Sequence, residues 1–184
     1  MKAALLIIDM LVDFLAAWPE ADRAQLVDAI RTLVKGSRAA GRPIIWVRQE
    51  FEPDLSDAFR DMRRRNIRLT IKGTQGCKII PELAPLPDDP LVIKKRYSAF
   101  FGTQLDQLLS CQAIDSLVLA GIHTHACVRM TAIDAYQRDL DVIIPREAVS
   151  SYDREHGDVS LRYMDGKIAS VVSLAKAMLR IAER

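Results

Sequence analysis

Asp9, Lys94 and Cys127 are the residue types that nucleophilic acyl transfer requires, and each stands at or just beyond the end of an apolar run. Asp9 closes the run Ala3–Ile8, Lys94 closes Leu91–Lys94, and Cys127 follows Ser116–Ala120 and enters a helical pattern. Together they supply a carboxylate to take a thiol proton, an ammonium to hold both charges in place, and a thiolate to attack a carbonyl carbon. The end of a strand and the start of a helix is where α/β proteins bind ligands. The positive end of a helix dipole there favours a thiolate. Each residue also has a plainer reading: an aspartate after a strand caps a helix or makes a turn, a lysine is a surface cation, and a buried cysteine is inert core. A shared sheet rim is what would join the three.

The elements that must build that rim are legible as alternating apolar runs and helical periodicities. Ala3–Ile8 is continuously apolar, as in a strand covered on both faces. Residues 21–40 carry Leu26, Ile30 and Leu33 at helical spacing and stop at Gly41. Strands follow at 43–47, 91–94, 116–120, 141–144 and 168–172, with helices at 104–111, 126–138, 154–163 and 174–183. Repeated βα units of this length predict an α/β fold, a parallel sheet with helices on both faces, in a single domain spanning residues 1–184. Residues 50–90 break the rhythm with charges and with Pro53, Pro81, Pro85, Pro87 and Pro90. They are expected to form a long excursion with one helix near 56–65.

Three blocks, LLIIDMLVDF (5–14), VIKKRYSAFFGTQLD (92–106) and GIHTHACVRMTAIDAYQRD (121–139), occur in this order. On them the chain is identified as a member of the isochorismatase-like cysteine hydrolases, a superfamily of nicotinamidases, N-carbamoylsarcosine, ureidoacrylate and biuret amidohydrolases and isochorismatase. The resemblance implies a three-layer α/β/α sandwich with a parallel six-stranded sheet in the order 3-2-1-4-5-6. It implies the catalytic triad Asp9, Lys94 and Cys127, with the spacing to Ser98-Ala99-Phe100 selecting Lys94 over Lys95. It also implies a cis peptide at Ile122–His123, with the backbone N–H groups of His123 and Cys127 forming an oxyanion hole. Such donors are worth about 3–4 kcal/mol each in a transition state. The implied reaction is hydrolysis of a C–N bond in a small amide or ureido compound through a thioester on Cys127.

Departures from the family pattern narrow that expectation. A frequent glutamine of the first block is Leu11 here. The segment VRQEFEPDLSDAF lacks the histidines of metal-binding relatives, so no metal and no cofactor is expected. Authentic isochorismatases commonly lack the cysteine, which ranks amide or ureido cleavage above the alternative, isochorismate-type vinyl-ether hydrolysis. The third alternative is a non-catalytic binding protein on the same fold. Phe14, Trp18, Tyr97, Phe100 and His125 are pocket-wall candidates, with core packing as the competing role. Asp13, Thr131 and Asp134 match family positions expected to hydrogen-bond around the site. Arg60, Arg63, Arg64, Arg65 and Arg68 form either a solvated helix face or a cover over the site that favours an anionic substrate.

The bulk properties fit such an enzyme. The chain has 184 residues, 49% of them hydrophobic and 27% charged, with a net charge of +2. Neither nucleic acid nor membrane is indicated as a partner. Cys77, Cys111 and Cys127 lack zinc-ligand spacing and a disulfide framework. The N-terminal apolar run is cut by Asp9, unlike a signal peptide. The expected setting is cytoplasmic and the expected assembly a homodimer or homotetramer, as in the resembled family.

Overall fold

A computed structural model describes residues 2–183. All six residues of β1 (Ala3–Ile8) are buried, because it lies mid-sheet between two parallel neighbours and beneath helices on both faces. Its neighbours are β2 (Ile44–Gln49) and β4 (Ser116–Ile122). With β3 (Leu91–Lys94), β5 (Asp141–Pro145) and β7 (Ser170–Val172) the strand order is β3-β2-β1-β4-β5-β7. This is the expected order, with β7 in the sixth place. A two-residue β6 (Val149–Ser150) pairs with β4 beyond the end of its contact with β5. It makes a seventh strand too short to leave a periodic signal in the sequence.

Alternation along the strands divides the core into two layers. Leu5 and Ile7 face one side with α2 (Glu20–Ala39) and α7 (Leu174–Ala182). Ala4, Leu6 and Ile8 face the other, with α4 (Leu105–Cys111), α5 (Arg129–Tyr136) and α6 (Arg154–Met164). The result is an α/β/α sandwich. No described helix is long and apolar enough to cross a membrane.

The differences from expectation lie at element ends. β2 continues two residues past Val47, because Arg48 and Gln49 pair with Ile93 and Lys94 of β3. A one-turn helix, α1 (Val12–Leu15), follows Asp9. The helix of the excursion, α3 (Arg60–Arg65), starts later than expected. Residues 54–58 are spent in turns instead: Ser56 N–H donates to Asp54 Oδ1, and Ala58 N–H to the Leu55 carbonyl. The excursion packs on itself through Phe51, Leu55, Ala58 and Ile71. The helix after β4 opens as a π-helical turn, Thr124–Val128, before α5 begins.

Gly121 of β4 fixes how closely β1 and β4 approach at the rim. Its φ is +108°, and a Cβ there would meet the Ile8 carbonyl oxygen at 2.0 Å. Gly121→Ala is therefore expected to cost at least about 3 kcal/mol and to lower Tm by roughly 6–12 °C. Gly166→Ala, also at positive φ (+70°) but with open space around it, is expected to cost clearly less. Calorimetry on both variants checks this, and equal losses would mean that the close approach at Gly121 is unimportant.

Candidate active site

Each polar side chain of the rim is delivered by the end of a parallel strand. Asp9 follows β1 with φ +54°, a left-handed conformation that aspartate tolerates better than most residues. Its N–H donates to the Val47 carbonyl. Lys94 ends β3, and Cys127 is the fourth residue of the π-helical turn after β4. π-Turns of this kind recur at functional sites. The Ile122–His123 peptide bond that enters the turn is cis.

Lys94 holds the site together. Its Nζ lies 2.7 Å from Asp9 Oδ2 and donates to Cys127 Sγ at 3.3 Å. It also donates to Gln49 Oε1 at 3.3 Å and to the Arg96 carbonyl at 3.1 Å. Asp9 and Lys94 are completely buried and Cys127 nearly so. Asp9 Oδ1 accepts the Gln49 N–H at 2.8 Å. Oδ2 has no hydrogen-bond partner of good alignment among the described residues and lies 2.7 Å from the Lys94 ammonium. One carboxylate oxygen is thus anchored and the other is available to a proton.

Burial pushes the Cys127 thiol up to about 12, and the Asp9 carboxylate adds to the rise while Lys94 opposes it. The sequence-based expectation of a thiolate favoured by the helix dipole is corrected here. A helix terminus is worth about 0.3–1 kcal/mol, whereas a rise of this size corresponds to roughly 4 kcal/mol. At rest Cys127 is a neutral thiol. Burial works against the Lys94 ammonium, but the Asp9 carboxylate, helped by the hydrogen bond to Cys127 Sγ, outweighs it and holds its pKa above the ordinary lysine value. Burial, with smaller effects of His125 and Lys94, pushes His123 down to about 4. Burial also lowers His125.

The pocket-wall candidates separate into three places. Phe14, Trp18 and His125 gather round the His123 ring at centroid distances of 5.7, 6.0 and 5.9 Å. Tyr97 is half-exposed and packs on Phe59 of the excursion. Phe100 is buried in the core layer that includes Ala99 and Leu105, with the Arg138 guanidinium over its ring. Thr131 Oγ1 accepts the Ala99 N–H and so braces the turn after Lys94. Asp13 Oδ2 accepts the Thr70 N–H and anchors the excursion. Asp134 bonds within its own helix neighbourhood, to Gln137, and not to the site.

Sequence reasoning missed Gln49, Ser151 and Tyr152. Gln49 touches both Asp9 and Lys94, but the apolar pattern of the second strand stops at Val47 and gives no signal for it. Ser151 Oγ meets His125 Nδ1 at 2.9 Å and also accepts the His125 N–H. The Tyr152 ring packs edge-on against His123 at 4.8 Å. Neither carries a periodic or motif signal. Among the described residues, no group of three or more His, Cys, Asp or Glu side chains comes together to hold a metal ion.

The Isochorismatase domain family matches residues 3–176, and the chain belongs to that family. It is 33% identical over 150 residues to the ureidoacrylate amidohydrolase RutB of Methylorubrum extorquens, covering 73% of this chain but only 60% of that relative's length. It is 27% identical over 180 residues to the phenazine biosynthesis protein PhzD of Pseudomonas fluorescens, covering 97% of this chain and 86% of that one. The crystal structure of N-carbamoylsarcosine amidase from Thermoplasma acidophilum superposes with a TM-score of 0.80 at 30% identity, covering 95% and 97% of the two chains.

The lowered pKa of His123 makes a stability prediction. Between its ordinary value of 6.5 and about 4, the unfolded chain binds a proton that the folded chain refuses. Stability contributed by neutral His123 is present above 6.5 and is lost as pH falls towards 4, with a slope of up to about 1.4 kcal/mol per pH unit. His123→Phe, which keeps an aromatic ring against Phe14 and Trp18, is expected to flatten the slope by close to one proton. Urea unfolding across this pH range measures it, and an unchanged slope would mean that His123 titrates normally.

Proposed function

We propose that this chain is a cysteine hydrolase that cleaves a C–N bond of a small amide or ureido compound. The contact of one buried ammonium with both Asp9 and Cys127 carries this reading, because it ties a nucleophile to a proton acceptor within one charge-compensated unit. The activities named for RutB and N-carbamoylsarcosine amidase support the same bond type.

The chemistry follows from the resting state. As the substrate carbonyl arrives, Asp9 Oδ2 removes the thiol proton and Cys127 Sγ forms a bond to the carbonyl carbon. The negative charge of Asp9 moves to the adduct oxygen, which the N–H groups of His123 and Cys127 stabilise. Lys94 stays within reach of both partners, so the local charge remains balanced throughout. Collapse of the adduct breaks the C–N bond, and protonated Asp9 returns its proton to the leaving nitrogen. Asp9 then takes a proton from water, whose oxygen attacks the thioester carbon. The acid leaves and the thiol is restored.

Ammonia release from nicotinamide, maleamate, oxamate, biuret, ureidoacrylate and N-carbamoyl amino acids, with wild type and Cys127→Ala in parallel, tests the proposal. Turnover of at least one compound is expected, falling by more than about 10³-fold in the variant. Turnover undiminished in Cys127→Ala, or consumption of isochorismate that survives the substitution, would overturn it.

A further inference from the structure

The charges of the excursion do not cancel evenly. Its carboxylates are mostly spent: Glu50 pairs with Arg48, Glu52 with Lys72, Asp57 with Lys95 and Asp61 with Arg65. Asp54 and Asp88 have no cation partner among the described residues, and Asp54 accepts the Ser56 N–H. Its arginines are mostly unspent. Arg60 and Arg64 have no hydrogen-bond or ion-pair partner among the described residues. Arg63 and Arg68 donate only to the carbonyls of Ala58 and Pro53. Arg96, at the same place, donates only to the carbonyls of Asp57 and Lys95. A carbonyl satisfies a guanidinium's hydrogen bonds without removing its charge. The result is an exposed cluster of net positive charge on α3 and its flanks.

That cluster is tied to the rim. Phe59, the residue before α3, packs under the Arg96 guanidinium at 4.9 Å and on the Tyr97 ring at 5.1 Å. Arg96 in turn accepts Lys94 Nζ at its carbonyl oxygen. The positive surface is thus linked to the ammonium that touches Cys127 through the Arg96 backbone and the Phe59 ring. The site itself contributes little net charge to oppose it, because Asp9 and Lys94 balance and the thiol is neutral. A field of one sign beside a neutral site concentrates ligands of the other sign.

We infer that the arginine cluster of α3 steers anionic substrates to Cys127, so that the preferred amide or ureide carries a carboxylate. The inference rests on Cys127 being the nucleophile, but its test does not need turnover. Iodoacetate and iodoacetamide deliver nearly the same group to a thiol and differ by one negative charge. Their alkylation rates at Cys127 can be read by peptide mass spectrometry in wild type and in Arg60→Glu/Arg64→Glu. Both substitutions lie on exposed positions, where folding tolerates change.

At an ionic strength of about 0.01 M, the charge reversal is expected to lower the iodoacetate to iodoacetamide rate ratio by about fivefold, with the iodoacetamide rate itself unchanged. In wild type the same ratio is expected to fall several-fold on going to about 1 M salt, where the Debye length shrinks from about 30 Å to about 3 Å. The parallel comparison of kcat/KM for maleamate and its methyl ester is expected to show the same dependence, with kcat preserved. A ratio indifferent to both salt and charge reversal would overturn steering while leaving amide hydrolysis intact. Absence of amide turnover alongside a charge-sensitive ratio would instead count against the hydrolase reading alone.

Discussion

A fully buried ammonium is the constraint on which this molecule is organised. Taking Lys94 and Asp9 out of water costs several kcal/mol per ion even after relaxation, and their attraction repays this only when the remaining donors and acceptors are also met. Lys94 meets that condition through Asp9, Cys127, Gln49 and the Arg96 carbonyl. Three adjacent parallel strands are needed to bring these groups together. β1 delivers Asp9, β2 delivers Gln49 in register with Lys94, and β3 delivers Lys94 itself. Gly121 lets β4 approach β1 closely enough to carry the cysteine turn to the same point.

The same constraint explains why the thiol is protonated at rest. A low-dielectric site that holds one cation and one anion has no remaining charge with which to stabilise a second anion. Proton transfer from Cys127 to Asp9 would leave the total charge unchanged, which is why the proposed reaction begins with it. Gln49 contributes from both ends: its backbone N–H fixes one oxygen of Asp9 and its side-chain oxygen shares the ammonium. The excursion contributes indirectly, by bracing residues 95–97 through Asp57 and Phe59.

Much of this was legible in the sequence, for identifiable reasons. A run of six apolar residues such as Ala3–Ile8 admits little besides a two-sided buried strand, and Leu91–Lys94 was read to the residue because charges and a proline bound it. The rim position of Asp9, Lys94 and Cys127 followed from strand ends, and the resemblance named the same three. Gln49 was lost because the apolar pattern of β2 stops at Val47 while backbone pairing with β3 carries the strand on. The π-turn was invisible because its residues have the same pattern as the first turn of an α-helix. The ionisation state of Cys127 depends on burial and on a carboxylate far away in the chain, and no local pattern encodes either. The arginines were visible as a cluster, but only the pairing of their neighbouring acids reveals which charges stay uncancelled.

In the proposed reaction, bond cleavage passes through an acyl group on Cys127. Turnover of an accepted amide in the presence of hydroxylamine, with acid-quenched protein mapped by mass spectrometry, tests it most directly. A mass gain of the acyl group confined to the Cys127 peptide is expected. Hydroxamate is expected to form at the expense of the acid, while ammonia release is not diminished. Steady turnover with neither an adduct on Cys127 nor any hydroxamate would mean that water attacks the substrate directly, and the buried triad would need another explanation.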